Sequence, residues 1–321
     1  MNKEMKKKVM YNINVYRSVL ILFVMCVVAS ILSPSFLNVT NIFNVFKQIT
    51  VSGIVACGMT FVILTGGIDL SVGSIVGLAG AMSAGVLAAT GNIFLATITG
   101  IGIGLVCGSA NGLLVSRCGI PPFIATLGMM TLLRGCVLIY TQGSPIAVKS
   151  DGFKFIGKGD VFGIPVPVLI LIVLFLLGHF ILTKTRFGRN VYAFGGNKEA
   201  ARLSGICVKK TEWLVYTISG LLAGVAAIVL TARLGSAQST SGSGIEMDAI
   251  AAVILGGTSL SGGTGFVLPT IVGAMIMGII DNILTLMNVN PHATNIVKGA
   301  VIIIAVLVDK KVKDLSAKAD Q

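Results

Sequence analysis

Long apolar runs separated by short polar punctuation set the pattern of this chain. From Leu70 to Ser116 there is no charged residue. At helical rise that stretch is about 70 Å long, twice a bilayer core, so it must cross, turn and cross again. Reading run after run between breakers predicts about ten transmembrane helices, at 18–32, 51–64, 70–89, 93–115, 121–140, 164–182, 213–230, 249–260, 266–286 and 295–308. The expected fold class is all-α, a polytopic membrane protein. Ser33-Pro34-Ser35 ends the first run, and 38–48 reads as a short polar, interfacial segment. Gly66-Gly67 breaks the second run, and 142–163, with Lys149, Asp151, Lys154, Lys158 and Asp160, reads as a polar loop.

Composition sharpens this picture. Of 321 residues, 55% are hydrophobic and 11% charged, and the mean hydropathy is +0.95; a soluble domain carries about 25% charge. The net charge of +12 is concentrated at Lys3, Lys6, Lys7, Lys8 and Arg17, within 184–210, and at Lys310, Lys311, Lys313 and Lys318. Clusters beside apolar runs follow the positive-inside pattern and put all three on the cytoplasmic side. Residues 1–17 and 309–321 are therefore expected as cytoplasmic tails flanking one transmembrane domain, 18–308, with a cytoplasmic segment at 184–212. A nucleic-acid partner would need a contiguous basic face with aromatics, which the chain lacks. The first run has the outline of a signal peptide, with Ala29 near a possible cut, but more membrane follows it. The six cysteines show no paired spacing and read as small buried hydrophobes.

Two stretches repeat each other. Ile63-Leu-Thr-Gly-Gly-Ile-Asp-Leu-Ser-Val-Gly73 matches Ile254-Leu-Gly-Gly-Thr-Ser-Leu-Ser-Gly-Gly263 with one residue dropped, and each is followed by Gly-Ala-Met, at 80–82 and 273–275. Two pseudo-symmetric halves with helices broken at corresponding places are a transporter signature. Just past each break stand Asp69 with Ser71, and Ser259 with Ser261. Two readings stay open for these side chains: they cap the following helices, or they line a substrate pathway or inner gate, since a broken helix is tolerated where it is buried or faces a watery cavity. Arg134 lies inside the fifth run, so it either snorkels outward or pairs with Asp69 or Asp281. Gly100-x-Gly102-x-Gly104 has no strand context for a nucleotide fingerprint and reads as helix packing. The 257–264 stretch misses a phosphate loop because Gly263 stands where a lysine would, so this chain is not expected to bind ATP.

The longest strongly basic interruption holds Asn197-Lys-Glu-Ala-Ala-Arg-Leu-Ser-Gly-Ile206. Asn197 suits an N-cap, Glu199 the first turn and Gly205 the C′ position, which marks a short helix. A helix that short is marginal alone and needs something to dock on. Ala200 and Ala201 leave a nearly bare face for a partner.

Glu199-Ala-Ala followed by Gly205 resembles the EAA–G coupling motif of bacterial ABC importer permeases. Together with Gly67–Gly73, Thr126–Gly135, Gly195–Ile206 and Asp248–Gly257, it makes the chain similar to the monosaccharide-import permeases, the ribose branch above all, in order from about 18 to 311. His292-Ala-Thr-Asn295 departs from the aromatic-Gln pair frequent in relatives. The resemblance implies a homodimer in the bacterial inner membrane, with both termini cytoplasmic and lipid around it. It implies that Asn197, Glu199, Ala200, Ala201, Arg202 and Gly205 seat on a cytoplasmic ATP-binding subunit, which holds the ATP, and that an extracytoplasmic sugar-binding protein delivers a monosaccharide, ribose first. No cofactor of the chain's own is implied, and the chain would be a transport subunit, not an enzyme. Xylose, galactoside, autoinducer-2 and nucleoside permeases share most of these blocks. A stand-alone ion-coupled carrier would need ionisable groups in the membrane, for which Asp69, Arg134, His179, Asp248 and Asp281 are the candidates. An intramembrane hydrolase would need a catalytic pair, and His179 has no evident partner.

Overall fold

The computed structural model describes the backbone of residues 3–319 and the side chains of 18–307 except 291. The two basic tails, 1–17 and 309–321, fall outside the described side chains. Thirteen helices make up the described chain: α1 (Lys3–Leu32), α2 (Val39–Leu64), α3 (Val72–Thr90), α4 (Ile93–Ser116), α5 (Pro122–Thr141), α6 (Asp151–Lys158), α7 (Val166–Lys184), α8 (Arg186–Gly196), α9 (Lys198–Leu203), α10 (Val208–Leu234), α11 (Ile245–Leu255), α12 (Val267–Leu286) and α13 (Pro291–Ala319). Two antiparallel pairs of two-residue strands accompany them: β1 (Ile146–Ala147) with β4 (Ser236–Ala237), and β2 (Asp160–Val161) with β3 (Ile164–Pro165).

Seven of these helices are long and apolar enough to cross a membrane, and the apolar stretches Ser18–Leu32 and His292–Leu307 sit within α1 and α13. The expected eighth span is only α11, 11 residues long, or roughly 16 Å, about half a bilayer core. The expected interfacial segment at 38–48 is instead the start of α2. Asn38 caps that helix by accepting from Thr40 N–H, and 26 unbroken residues follow. Polar residues at 38–48 lie within an ordinary helical turn pattern, and their backbone bonds stay internal, so nothing ends the helix there. The expected loop at 142–163 contains α6, with Ser150 as its N-cap and Phe153 fully buried.

α2 and α10 form the centre, buried along most of their lengths, while α4, α5 and α7 expose most of theirs. Side-chain size sets the closest contact. Gly100, Gly104, Gly108 and Gly112 recur every four residues on α4 and meet the backbone or side chains of α10 from Trp213 to Ile228, Gly220 and Gly224 among them. A stripe of small residues lets two membrane helices approach backbone to backbone, where dispersion contacts replace the missing hydrophobic drive. Gly102, the middle residue of the Gly-x-Gly-x-Gly string, faces open space.

Candidate functional site

The repeat seen in the sequence is a repeat in geometry. Both α2 and α11 end in the same turn. Gly66 and Gly257 take φ of +76° and +84°, which glycine adopts without a Cβ penalty. Gly66 N–H donates to Ile63 O at 2.8 Å and Gly67 N–H to Val62 O at 3.2 Å; Gly257 N–H donates to Ile254 O at 2.8 Å and Thr258 N–H to Val253 O at 3.1 Å. Beyond each turn the same local bond recurs. Asp69 Oδ1 accepts from Ser71 N–H at 3.0 Å, and Ser259 Oγ accepts from Ser261 N–H at 3.4 Å.

The capping reading therefore needs correction in detail. α3 begins at Val72 with Ser71 at its N-cap position and no side-chain cap bond, while α12 begins only at Val267. Asp69 and Ser259 shape tight turns that precede those helices. After this shared turn the copies diverge. Asp69 and Ser71 are fully buried in a network between α3, α4 and α10: Ser71 Oγ donates to Asp69 Oδ1 at 2.7 Å, Ser219 Oγ to Asp69 Oδ2 at 3.1 Å, and Asn111 Nδ2 to Ser71 Oγ at 2.7 Å. A carboxylate inside a membrane bundle is tolerated only when hydrogen bonds replace its water. Ser259 is buried and Ser261 is exposed.

The two breaks touch each other and α8. Gly263 N–H donates to Leu64 O at 2.9 Å. A Cβ at Gly195 would strike Leu64 O and Gly263 N, and one at Gly263 would lie 2.8 Å from Gly196 N. Tyr192, also on α8, donates its hydroxyl to Gly265 O at 2.8 Å. Burial pushes that phenol up to about 12, away from the anionic form.

α9 stands directly after α8, and its expected caps are present. Asn197 Oδ1 accepts from Ala200 N–H at 2.9 Å, Gly205 has φ +82°, and Ile206 N–H closes on Ala201 O at 3.1 Å. Lys198 bridges to Glu212 at 3.2 Å and so ties α9 to α10, while Glu199 and Arg202 pair at 3.0 Å on the surface. The bare face, however, is divided. Ala201 packs inward with 4% exposure, whereas Ala200 and Leu203 face out, Leu203 at 79%. The sequence reading passed over Leu203, although an apolar residue four places after Glu199 on a polar helix was visible.

Arg134 pairs with neither expected aspartate. Its Nη1 donates to Ser239 O and Ser241 O, both at 3.1 Å, so it ties α5 to the β4–α11 connection. Asp281 instead meets Lys298 at 2.9 Å, and the same ammonium lies 2.9 Å from Asp248. Lys298 was missing from the sequence candidates. A lysine at the fourth position of the 295–308 run is a visible signal, but only the packing of α11, α12 and α13 gives it two carboxylates. His179 lies partly buried in α7, away from these groups.

The family described as branched-chain amino acid transport system, permease component, matches residues 41–306. The chain belongs to this permease family. It is 48% identical over 292 residues to the ribose import permease protein RbsC of Bacillus subtilis, covering 90% of this chain and 91% of that protein. Identity to the RbsC of Escherichia coli K12 is 46% over 299 residues, 92% of this chain and 93% of that one. The D-allose transport system permease protein AlsC of Escherichia coli K12 follows at 40% over 297 residues, 92% and 91%. No solved structure gives a significant match. The permease is thus a multi-pass transport subunit of the kind its sequence motifs resemble.

Proposed function

We propose that this permease is the transmembrane subunit of an ABC importer that carries a monosaccharide, ribose first, into the bacterial cytoplasm. It works as a homodimer in the inner membrane with both termini cytoplasmic. An ATP-binding subunit seats on α9 and a sugar-binding protein docks at the opposite face. One observation carries the coupling role: α9 presents Ala200 and Leu203 outward while α8, directly before it, packs on the backbone of both helix breaks. A push on α9 therefore reaches Leu64 and Gly263 through backbone contacts that cannot be compressed. Asp69, Ser71, Ser259 and Ser261 flank the breaks and move with them, as parts of an inner gate. A neutral sugar needs such a route because each unsatisfied hydroxyl costs kilocalories in hydrocarbon. The ribose assignment draws on the identity to the ribose permeases, and allose is the second candidate for the same reason.

Reconstitution with the ATP-binding subunit and the binding protein tests the reading. Leu203→Asp and Ala200→Trp should abolish sugar-stimulated ATP hydrolysis while the permease still extracts as a folded dimer. Because Ala201 packs inward, a bulky residue there would disturb the fold and decide nothing. Undiminished stimulation in the Leu203→Asp complex would overturn the coupling role of α9, and competition by allose and arabinose against labelled ribose would rank the sugars.

A further inference from the structure

Between α2, α10, α11 and α12 lies a cavity of about 130 Å³ lined by Gln48, Ser52, Arg233, Asp248 and Asp281. At about 30 Å³ of liquid volume per water it has room for several. It shares Gln48 and Asp281 with a wider recess of about 580 Å³, lined also by Thr285 of α12, Asn288 and Asn290 of the α12–α13 connection and Thr294 of α13. Gln48 and Leu64 belong to one helix and are roughly 24 Å apart along it. The cavity therefore opens at the end of the bundle opposite α8, α9 and the two breaks.

We propose that this cavity is the entry site for a neutral polyhydroxylated solute, a deepening that rests on the sugar-import reading above. The charges decide the class of ligand. Two carboxylates, Asp248 and Asp281, stand against two cations, Arg233 and Lys298, so the site has no formal net charge to trap an anion or a cation. It offers hydroxyl acceptors and donors together. Arg233 gives Nη1 to Lys47 O at 2.9 Å, one bond from a side chain with five donors. Asp281 Oδ2 accepts from Lys298, while its buried Oδ1 has no hydrogen-bond partner among the described residues. A buried carboxylate oxygen without a partner is costly, and a sugar hydroxyl supplies the missing donor. Lys298 acts as a positioning residue, holding both carboxylates from α13. Among the described residues no aromatic ring lines the cavity; stacking would deepen binding, and a site without it suits a solute that must leave. Thr294, within the stretch that departs from the relatives, sits on the rim of the recess, where it would tune which sugar enters.

The test uses the reconstituted complex in proteoliposomes. Gln48→Ala and Asp281→Asn should each lower the ribose carried per ATP hydrolysed by roughly tenfold, the loss of one bond to a charged or amide group. In a background without the native cysteines, Ser52→Cys should react with a small water-soluble thiol reagent, and ribose should slow that reaction whereas an amino acid should not. Unchanged transport in both variants would overturn the proposal. So would a labelling rate at Ser52→Cys blind to every neutral sugar offered. If the wild-type complex carries no ribose, the ribose reading fails, and protection of Ser52→Cys by another neutral sugar still supports the cavity.

Discussion

Gly104→Ala should loosen the packing of α4 on α10, and Gly102→Ala should not. At residue 104 a methyl carbon would stand 2.7 Å from both Cα and N of Gly224, and closer still to the Gly220 carbonyl oxygen. Carbon contacts settle at about 3.5–4.0 Å. Helices α4 and α10 must therefore part by about 1 Å, since what the methyl meets is backbone and cannot rotate away. Overpacking of this kind costs about 1–3 kcal/mol. Both substitutions gain the same helix propensity, so the difference between them isolates the packing term, a factor of roughly 5 to 150 in the folding equilibrium. Function should follow, because α4 carries Asn111 and α10 carries Ser219, the residues that hold Ser71 and Asp69 from opposite sides. Reversible unfolding in mixed detergent micelles, followed by circular dichroism with matched slopes, measures the difference. Equal stability of the two variants would refute the claim that backbone proximity, rather than small residues in general, holds α4 on α10.

Asp69→Ala leaves the Ser71 N–H and the Ser71 and Ser219 hydroxyls without their acceptor, at about 1–3 kcal/mol for each group left unsatisfied; Asp69→Asn keeps one acceptor oxygen and should lose distinctly less stability, and equal losses would dismiss the network. A cysteine at Ser71, a position that is fully buried, should stay unreactive to a water-soluble thiol reagent, while Ser261→Cys should label. Labelling at position 71 as fast as at position 261 would show that the first break is as open as the second.

The sequence by itself determined the membrane fold and the positions of its breaks. Forty-seven residues without a charge can only fold by crossing and recrossing the bilayer, because unpaired backbone groups are too costly in hydrocarbon for anything but helices. Local chemistry was legible for a similar reason. Asn197 and Gly205 cap α9 through bonds within a few residues of themselves, and the Gly66 and Gly257 turns depend on φ values that glycine favours. The α6 helix was missed although its Ser150 cap was visible, because an eight-residue helix too polar to span reads as a loop until Phe153 has somewhere to be buried. What only the tertiary structure decided concerns partners far apart in the chain. Arg134 found two carbonyls more than a hundred residues away instead of an aspartate, and Lys298 found two aspartates on different helices. Which face of α9 looks outward depends on α8 and α10, so Ala201 left the outward face expected of it and Leu203 joined Ala200 there. Long-range pairing of this sort is set by helix rotation and register, and a residue pattern with a period of 3.6 fixes a face without saying which neighbour meets it.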